Sequence, residues 1–531
     1  MKVAVEHRKR TSKKVGTMDD VLHHIIENAL NEPSHPAIKD VDSELDYGQL
    51  IDHVARTAGA MSARGVLAGD RVVLLLGNSI DYVISALASL WIGAIFVPLD
   101  ATDPGQRLLG LIDDSQPRLI VVNDAMGEPA APLGEFQSSI VTFTQLFRES
   151  SGHVDPLPIA ERPSYIIYTS GTTGTPKGVV IGNRAFGASV MSCCRVRGIG
   201  PSTRTLSVSP FHFDGSFATL FTTLVGGGTL ILRRRESLLF PRVFFNAIVS
   251  ESVTYTGFTP SYLRMLESDP RFFSLGESKL EIIALGGEEI AKSDLEAIWS
   301  AAPWIRVFNG YGPTETTITA SQMEITRLTE HRDAISIGQP NPGVQFYLLD
   351  GNSSVITQPF IPGELYIGGI QLMDGYWRSP ELTANVVNCD IVAGQRLYRT
   401  GDLVYVDNEG NYVFLNRVDR VIKRGGVRIS LMEVGDALRG ITNVEMAASV
   451  SFDNGGQLGI AAFLVMSVKV PLVELHKQLR ERLPSSMMPD RIVFVDELPM
   501  TPSGKTDDRR LLSGADLLPW IVNHADGTPE P

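Results

Sequence analysis

Between about residue 18 and residue 410, short β-branched runs alternate with segments whose apolar residues recur at helical spacing. Arg71-Val72-Val73-Leu74-Leu75-Leu76 reads as a strand, the segment from Tyr82 to Leu90 as a helix, and Ala94-Ile95-Phe96-Val97-Pro98 as the next strand. That alternation predicts an α/β fold with largely parallel strands. Gly363-Glu364-Leu365-Tyr366-Ile367 and the stretch from Leu403 to Phe414 have a different texture, the latter turning back on itself around Asn408 to Gly410. A hairpin there predicts a small antiparallel, barrel-like part. After Arg417 comes a charged stretch, VDRVIKRGGVRIS, then a helix-like segment from Leu431 and strands near Ala447 and Ala461. The pattern predicts a disordered leader over 1–17, a large N-terminal domain of mixed α/β sheets over 18–418 and a small α+β C-terminal domain over 419–531. A C-terminal piece of that size is large enough to fold alone. There is no internal repeat.

Composition narrows the function classes. A chain of 531 residues, 43% hydrophobic and 20% charged, is too long for one core. Its net charge of -13 argues against a nucleic-acid binder or a membrane-surface protein, since both usually carry a basic face. An acidic metabolic enzyme is the expectation. The cysteines Cys193, Cys194 and Cys389 offer no metal spacing and no disulfide framework, which points to a reducing cytoplasm. Basic residues crowd the N-terminus, but no apolar run follows to make a signal peptide. No stretch reaches the roughly 18 to 20 uninterrupted apolar residues of a membrane span.

The most informative segment is Tyr168 to Val180, YTSGTTGTPKGVV. Gly171, Gly174 and Gly178 let backbone approach a ligand, Thr169, Ser170, Thr172 and Thr173 bring hydroxyls, and Lys177 adds a positive charge. Tyr165-Ile166-Ile167 before it reads as a strand, which puts the loop at a strand end, where phosphates usually bind. A flexible Ser/Thr/Gly surface loop is the bland alternative. A Walker loop fits poorly, because Lys177 precedes Gly178 and Val179 follows. The segment closely resembles the signature loop of the adenylate-forming superfamily, which includes acyl-CoA synthetases, luciferases and the adenylation domains of nonribosomal peptide synthetases.

That resemblance extends from roughly Met18 to Arg510 in the family's order and spacing. In Asn309-Gly310-Tyr311-Gly312-Pro313-Thr314-Glu315 it implies that Tyr311 stacks on adenine, Asn309 meets the base edge and Gly312 belongs to the ATP site, while Thr314 and Glu315, with Lys177 of the signature loop, are catalytic. It makes Glu315 a ligand of Mg²⁺, a hard cation that prefers oxygen. Gly287 and Glu288 join the same site by resemblance. In Tyr398-Arg399-Thr400-Gly401-Asp402-Leu403, Asp402 is implied to accept both ribose hydroxyls, with Phe414 and Arg417 beside it. Near the C-terminus, Pro502-Ser503-Gly504-Lys505 matches the family's last motif, so the resemblance makes Lys505 the catalytic lysine of a mobile small domain, with its hinge at Asp419. One segment departs from the pattern. Lys423-Arg424-Gly425-Gly426-Val427-Arg428 has Gly-Gly where the family usually has Arg-Gly, which puts thioester-state contacts in doubt but not adenylation.

The acid to be activated is read from other residues. Phe96-Val97-Pro98-Leu99-Asp100 with Pro104 and Arg107 resembles amino-acid adenylation domains, and in Phe213-Asp214-Gly215-Ser216 the aspartate matches the one that holds a substrate ammonium. Pro210-Phe211-His212 also resembles acyl-CoA synthetases, in which a histidine lies beside the acyl carboxylate, so an aryl- or acyl-CoA ligase stays open. The family's pocket positions fall on Asp214, Gly215, Ala218, Gly257, Ala284, Gly286, Gly310, Ile318 and Thr319. Apart from Asp214 these are small and neutral, which predicts a bulky or elongated apolar side chain with no second charge to meet it. The chain resembles stand-alone enzymes that load β-amino acids at least as well as α-amino-acid domains. The tail after Lys505 holds no phosphopantetheine attachment motif, so the expected acceptor is a free-standing carrier protein, with coenzyme A second. A nucleotide-binding protein without turnover is a third class, disfavoured by Lys177, Glu315, Asp402 and Lys505 occurring together.

Overall fold

The computed structural model describes residues 20–124, 136, 139–149, 153–158, 160–169, 176–326, 335–388, 391–392, 394–417, 421–454, 458–468, 470–499, 508–515 and 521–522. It divides into two compact units, one of Met1–Ala101, Ile112–Tyr168 and Gly178–Val418, the other of Asp419–Pro531 with Thr102–Leu111 and Thr169–Lys177.

Two large sheets and a small one make up the first unit. In the nine-stranded sheet, Pro36–Lys39, Thr229–Ile231, Arg204–Ser207, Tyr255–Phe258, Ile282–Gly286 and Arg306–Tyr311 run parallel, and Glu44–Asp46 and Ser321–Ile325 flank them antiparallel. The seven-stranded sheet is built around Arg71–Leu75, Ile95–Pro98 and Leu119–Val122, which are parallel as their unbroken apolar runs require. The helix expected from Tyr82 to Leu90 runs Ile80–Trp91, capped by the Ser79 side chain on the Tyr82 amide.

Helices Asn183–Arg197 and Phe217–Val225 share one core with strands of both large sheets. Phe217 and Phe221 pack against Phe96 and Phe186 with ring centroids 5.0 to 6.3 Å apart. Burying rings of this size contributes on the order of 2 kcal/mol each. The anticipated hairpin is present, joining Leu397–Val406 to Tyr412–Arg417 in a five-stranded antiparallel sheet. At its turn the Asp407 carboxylate accepts from the amides of Glu409 and Asn411.

In the second unit, the charged stretch after Arg417 forms a two-stranded ribbon, Val421–Arg424 with Val427–Ser430. Gly425 and Gly426 both have left-handed φ, 57° and 77°, the tight hairpin turn in which side chains are strained. The Gly-Gly departure is thus the turn of this ribbon. Helix Leu431–Arg439 follows, packed on a four-stranded sheet that includes Val444–Asp453 and Leu458–Met466. Among the described residues no helix is long and apolar enough to cross a membrane.

Candidate active site

Register between adjacent strands assembles most of the expected pocket positions. Gly257 pairs with Ala284, and Gly286 with Gly310. A Cβ on Gly310 would stand 3.1 Å from Thr319 Cγ2, and one on Gly312 would come within 2.7 Å of the Ala320 amide. Only glycine lets the chain from Ile318 to Ala320 pack this closely on the strand Arg306–Tyr311.

Asp214 opens a short 3₁₀ turn that leads into helix Phe217–Val225. The Thr314 hydroxyl and the Ile318 and Gly215 amides are the polar groups nearest its carboxylate. Its Oδ2, however, is enclosed and has no hydrogen-bond partner. Burial pushes its pKa up to about 6, the charge of Glu315 adds to that, and the neighbouring Thr314, Ile318 and Gly215 donors oppose it. Tyr165, whose pKa burial and then the charge of Asp214 drive upward, also has an enclosed hydroxyl without a partner.

The amide that Ile318 presents to Asp214 depends on a strained turn. Thr317 and Ile318 have φ of 60° and 66°, left-handed values that β-branched residues rarely adopt. Each such residue costs about 1–3 kcal/mol, so the surroundings must hold them. The Ser189 hydroxyl donates to the Thr317 carbonyl (2.7 Å), and the Thr317 hydroxyl donates to the Gln371 carbonyl (2.7 Å). The side-chain amides of Gln371 (2.9 Å) and Asn341 (2.7 Å) both donate to the Thr319 carbonyl. Glu315, fully buried one turn earlier, accepts from the Tyr376 hydroxyl at Oε1 (2.7 Å).

A second cluster surrounds Asp402. Its two carboxylate oxygens accept from Arg417 and from the Tyr311 hydroxyl, while Arg417 also donates to the Thr400 carbonyl at 2.9 Å. Tyr311 belongs to an apolar cluster against which Phe414 packs, and Asn309 donates its side-chain amide to the Ser336 carbonyl (2.8 Å). Gly287 takes a left-handed φ of 82° beside Glu288, which accepts from the Ser261 amide (2.8 Å). Tyr311, Asp402 and Arg417, drawn from three strands, thus meet in one cluster.

Two family models cover the chain, "AMP-binding enzyme" over residues 25–377 and "AMP-binding enzyme C-terminal domain" over residues 433–505. The chain belongs to the AMP-binding enzyme family. Members of that family are ATP-dependent, AMP-forming ligases. Tyrocidine synthase 3 of Brevibacillus parabrevis is 31% identical over 93% of this chain, and the match spans 8% of that much longer protein. An NRPS protein containing adenylation and PCP domains has the same fold, with a TM-score of 0.82 at 24% identity over 93% of this chain and 84% of that one. The o-succinylbenzoate CoA synthetase of Bacillus subtilis also superposes with a TM-score of 0.82, at 23% identity over 92% of this chain and 98% of its own.

Other expected residues of this AMP-binding enzyme sit apart or undescribed. The polar partner of His212 is Asp100, with Nε2 to Oδ2 at 3.6 Å, rather than a member of the Asp214 cluster. Arg235 stands 3.8 Å from the same Asp100 oxygen, and burial drives the His212 pKa down to about 4, so the imidazole is neutral. Ser170, Gly171, Thr172, Thr173, Gly174, Asp419 and Lys505 lie outside the described residues. Thr169 ends one strand and Lys177 begins the next, its side chain buried, and Thr169 Oγ1 is enclosed without a partner. Among the described residues no three His, Cys, Asp or Glu side chains gather as a metal cage.

Arg197 was not among the expected site residues. It ends helix Asn183–Arg197, is 2% exposed, and donates through Nη1 to the Ala218 carbonyl (3.0 Å) and the Tyr255 hydroxyl. Its Nη2 stands 3.7 Å from where a Gly310 Cβ would be. A second charge therefore does border the small-residue positions, contrary to the sequence expectation. In sequence Arg197 looks like any basic residue in a helix's last turn. Nothing in the chain's pattern marks it as buried.

Proposed function

We propose that this chain activates an amine-bearing carboxylic acid as its acyl adenylate and then passes the acyl group to a phosphopantetheine thiol on a separate carrier protein in the cytoplasm. In the first step an oxygen of the acid attacks the α-phosphorus of ATP and the α–β phosphoanhydride bond breaks, releasing pyrophosphate. In the second the thiol adds to the acyl carbon and AMP leaves. The observation that carries the amine is Asp214 Oδ2, a buried carboxylate oxygen without a donor. An ammonium supplies the missing donor and the counter-charge together.

The residues on the nucleotide side fit ATP. Asp402 uses one lone pair of each oxygen on Arg417 and Tyr311, which leaves acceptor capacity for two ribose hydroxyls. Tyr311, Phe414 and Asn309 form the adenine side, with Gly287, Glu288 and Gly312 at its margins. Thr169 brings an unpartnered hydroxyl and Lys177 a positive charge for phosphates. Glu315 fits Mg²⁺, which typically takes one or two protein carboxylates and completes its shell with phosphate oxygens and water. Bound there, the ion would neutralise triphosphate charge. In this reading Lys505 serves the carboxylate and the hinge at Asp419 moves it.

In this reading the acid, an α- or a β-amino acid, has an elongated side chain bordered by the small positions Gly257, Ala284, Gly286 and Gly310. Substrate-dependent exchange of pyrophosphate into ATP tests the reading with α-amino acids, their β-amino counterparts and the matching acids without an amine. Exchange confined to amine-bearing acids supports it. Equal exchange with amine-free acids would move the enzyme to the aryl- or acyl-CoA ligases.

A further inference from the structure

A guanidinium has five N–H donors, and burying it is costly unless they and its charge are met. Arg197 is 2% exposed, yet its described partners are both neutral, the Ala218 carbonyl and the Tyr255 hydroxyl, and both are reached through Nη1. The Nε is enclosed with no acceptor. Tyr255 gives its own proton to the Ala218 carbonyl (2.9 Å), so the hydroxyl oxygen that accepts from Arg197 satisfies a donor but brings no counter-charge. No carboxylate of the described residues pairs with Arg197. Two other buried charges of this unit are met by a partner of opposite sign, Asp294 by Arg264 and Asp402 by Arg417.

The position of the side chain is as informative as its missing counter-ion. Its neighbours Ala218 and Gly310 are positions that the resemblance assigns to the acid pocket, and Cys193, one turn earlier on the same helix, reaches Thr319 Oγ1 at 3.3 Å. Thr319 in turn touches the Gly310 position. With glycine at 310, no side chain of that residue stands between Thr319 and Nη2. Burial opposes the charge on Arg197, but Tyr255 and Cys193 outweigh it and raise the pKa, so the group is a cation at any working pH. The helix C-terminus offers it a partial negative charge worth about 1 kcal/mol, far short of a counter-ion.

We infer that Arg197 is the specificity determinant at the far end of the acid pocket and that the substrate is an amino acid carrying a second carboxylate, which pairs with this guanidinium while Asp214 holds the ammonium. The inference rests on the amino-acid reading of the same pocket. It replaces the apolar side chain expected from the small lining with an anionic one. The carboxylate to be adenylated and the distal carboxylate are thus told apart by position, with the anion at Asp214 repelling the distal group from the ammonium site.

Pyrophosphate exchange with four sets of acids tests it: amino dicarboxylates (aspartate, glutamate and their β-amino isomers), the neutral isosteres asparagine, glutamine and leucine, amine-free diacids (succinate, glutarate), and amine-free monoacids. Amino dicarboxylates should exceed their neutral isosteres by about a hundredfold or more, since a site built around a charged pair rejects the analogue that leaves it unpaired. Preference for neutral amino acids would overturn the Arg197 assignment and leave the amine reading standing. Diacids with and without amine exchanging equally would keep Arg197 and remove the amine. Monoacids alone would remove both. In Arg197→Met, exchange with the best dicarboxylate should fall by about a hundredfold while that with its neutral isostere is kept or rises, and ATP should still raise the melting temperature. Equal loss for both substrates with ATP binding intact would make Arg197 a structural clamp on Ala218 and overturn the proposal. If the variant fails to fold, the wild-type profile decides.

Discussion

The cluster around Asp402 and the one around Asp214 and Arg197 belong to one unit but leave their polar groups in opposite conditions. Around Asp402 the buried charges are matched within the protein, with Arg417 and Tyr311 on its two oxygens. Around Asp214 and Arg197 they are not, because Asp214 Oδ2 and Arg197 Nε both lack partners and among the described residues no ion pair meets either charge. A site whose charges are paired internally is preorganised and its shape survives without ligand. Unpaired buried charges are stable only where something supplies the complement, so they report the ligand's chemistry.

The strongest response should come from the matched side. Asp402→Ala leaves Arg417, 9% exposed, without its counter-ion, and should lower stability by about 3–5 kcal/mol in urea unfolding as well as weaken ATP binding. An unchanged midpoint would show that the pairing is incidental. Next, Asp214→Ala should leave stability near wild type or higher, because it removes a carboxylate that burial disfavours, while cutting amino-acid-dependent exchange by about 10²–10³-fold. The two variants together separate a charge that holds the fold from one that holds the substrate. Gln371→Ala refines the contrast from inside the pocket, since it frees the strained Thr317–Ile318 turn. A loss of about 2 kcal/mol in stability is expected, with a raised KM for the acid and an unchanged KM for ATP.

The weakest response is to pH. Burial raises the Asp214 pKa to about 6, so the fold prefers its protonated form, and the stability it contributes is complete at low pH and lost as pH rises through about 6. Pairing with an ammonium needs the ionised form. Therefore kcat/KM for an amine-bearing acid should fall about tenfold per pH unit below that pKa, and Asp214→Asn should abolish this limb of the profile. A limb that persists in the variant would assign the titration elsewhere.

Much of this was readable in one dimension. The alternation of apolar runs and helical segments predicted parallel sheets, and Arg71–Leu75, Ile95–Pro98 and the hairpin near Gly410 lie where it placed them. Motif order pointed to Asp402, Arg417 and Tyr311, whose mutual contacts the fold supplies. Gln371 and Asn341 could not have been found this way, because a buried amide that braces a distant turn leaves no local signature. His212 was misleading in the opposite sense, since its motif spacing fits two substrate classes while its side chain faces Asp100.

Residue order alone establishes the family, the layered α/β architecture and the nucleotide motifs, because each is carried by residues adjacent in the chain or by the 2- and 3.6-residue periodicities of strand and helix. Which charges are left unpaired is settled by packing in three dimensions. Whether Arg197 is a solvated helix end or a buried cation depends on Ala218, Tyr255 and Gly310 converging on it from three other segments. Burial and pairing are properties of that convergence, which one-dimensional spacing does not encode.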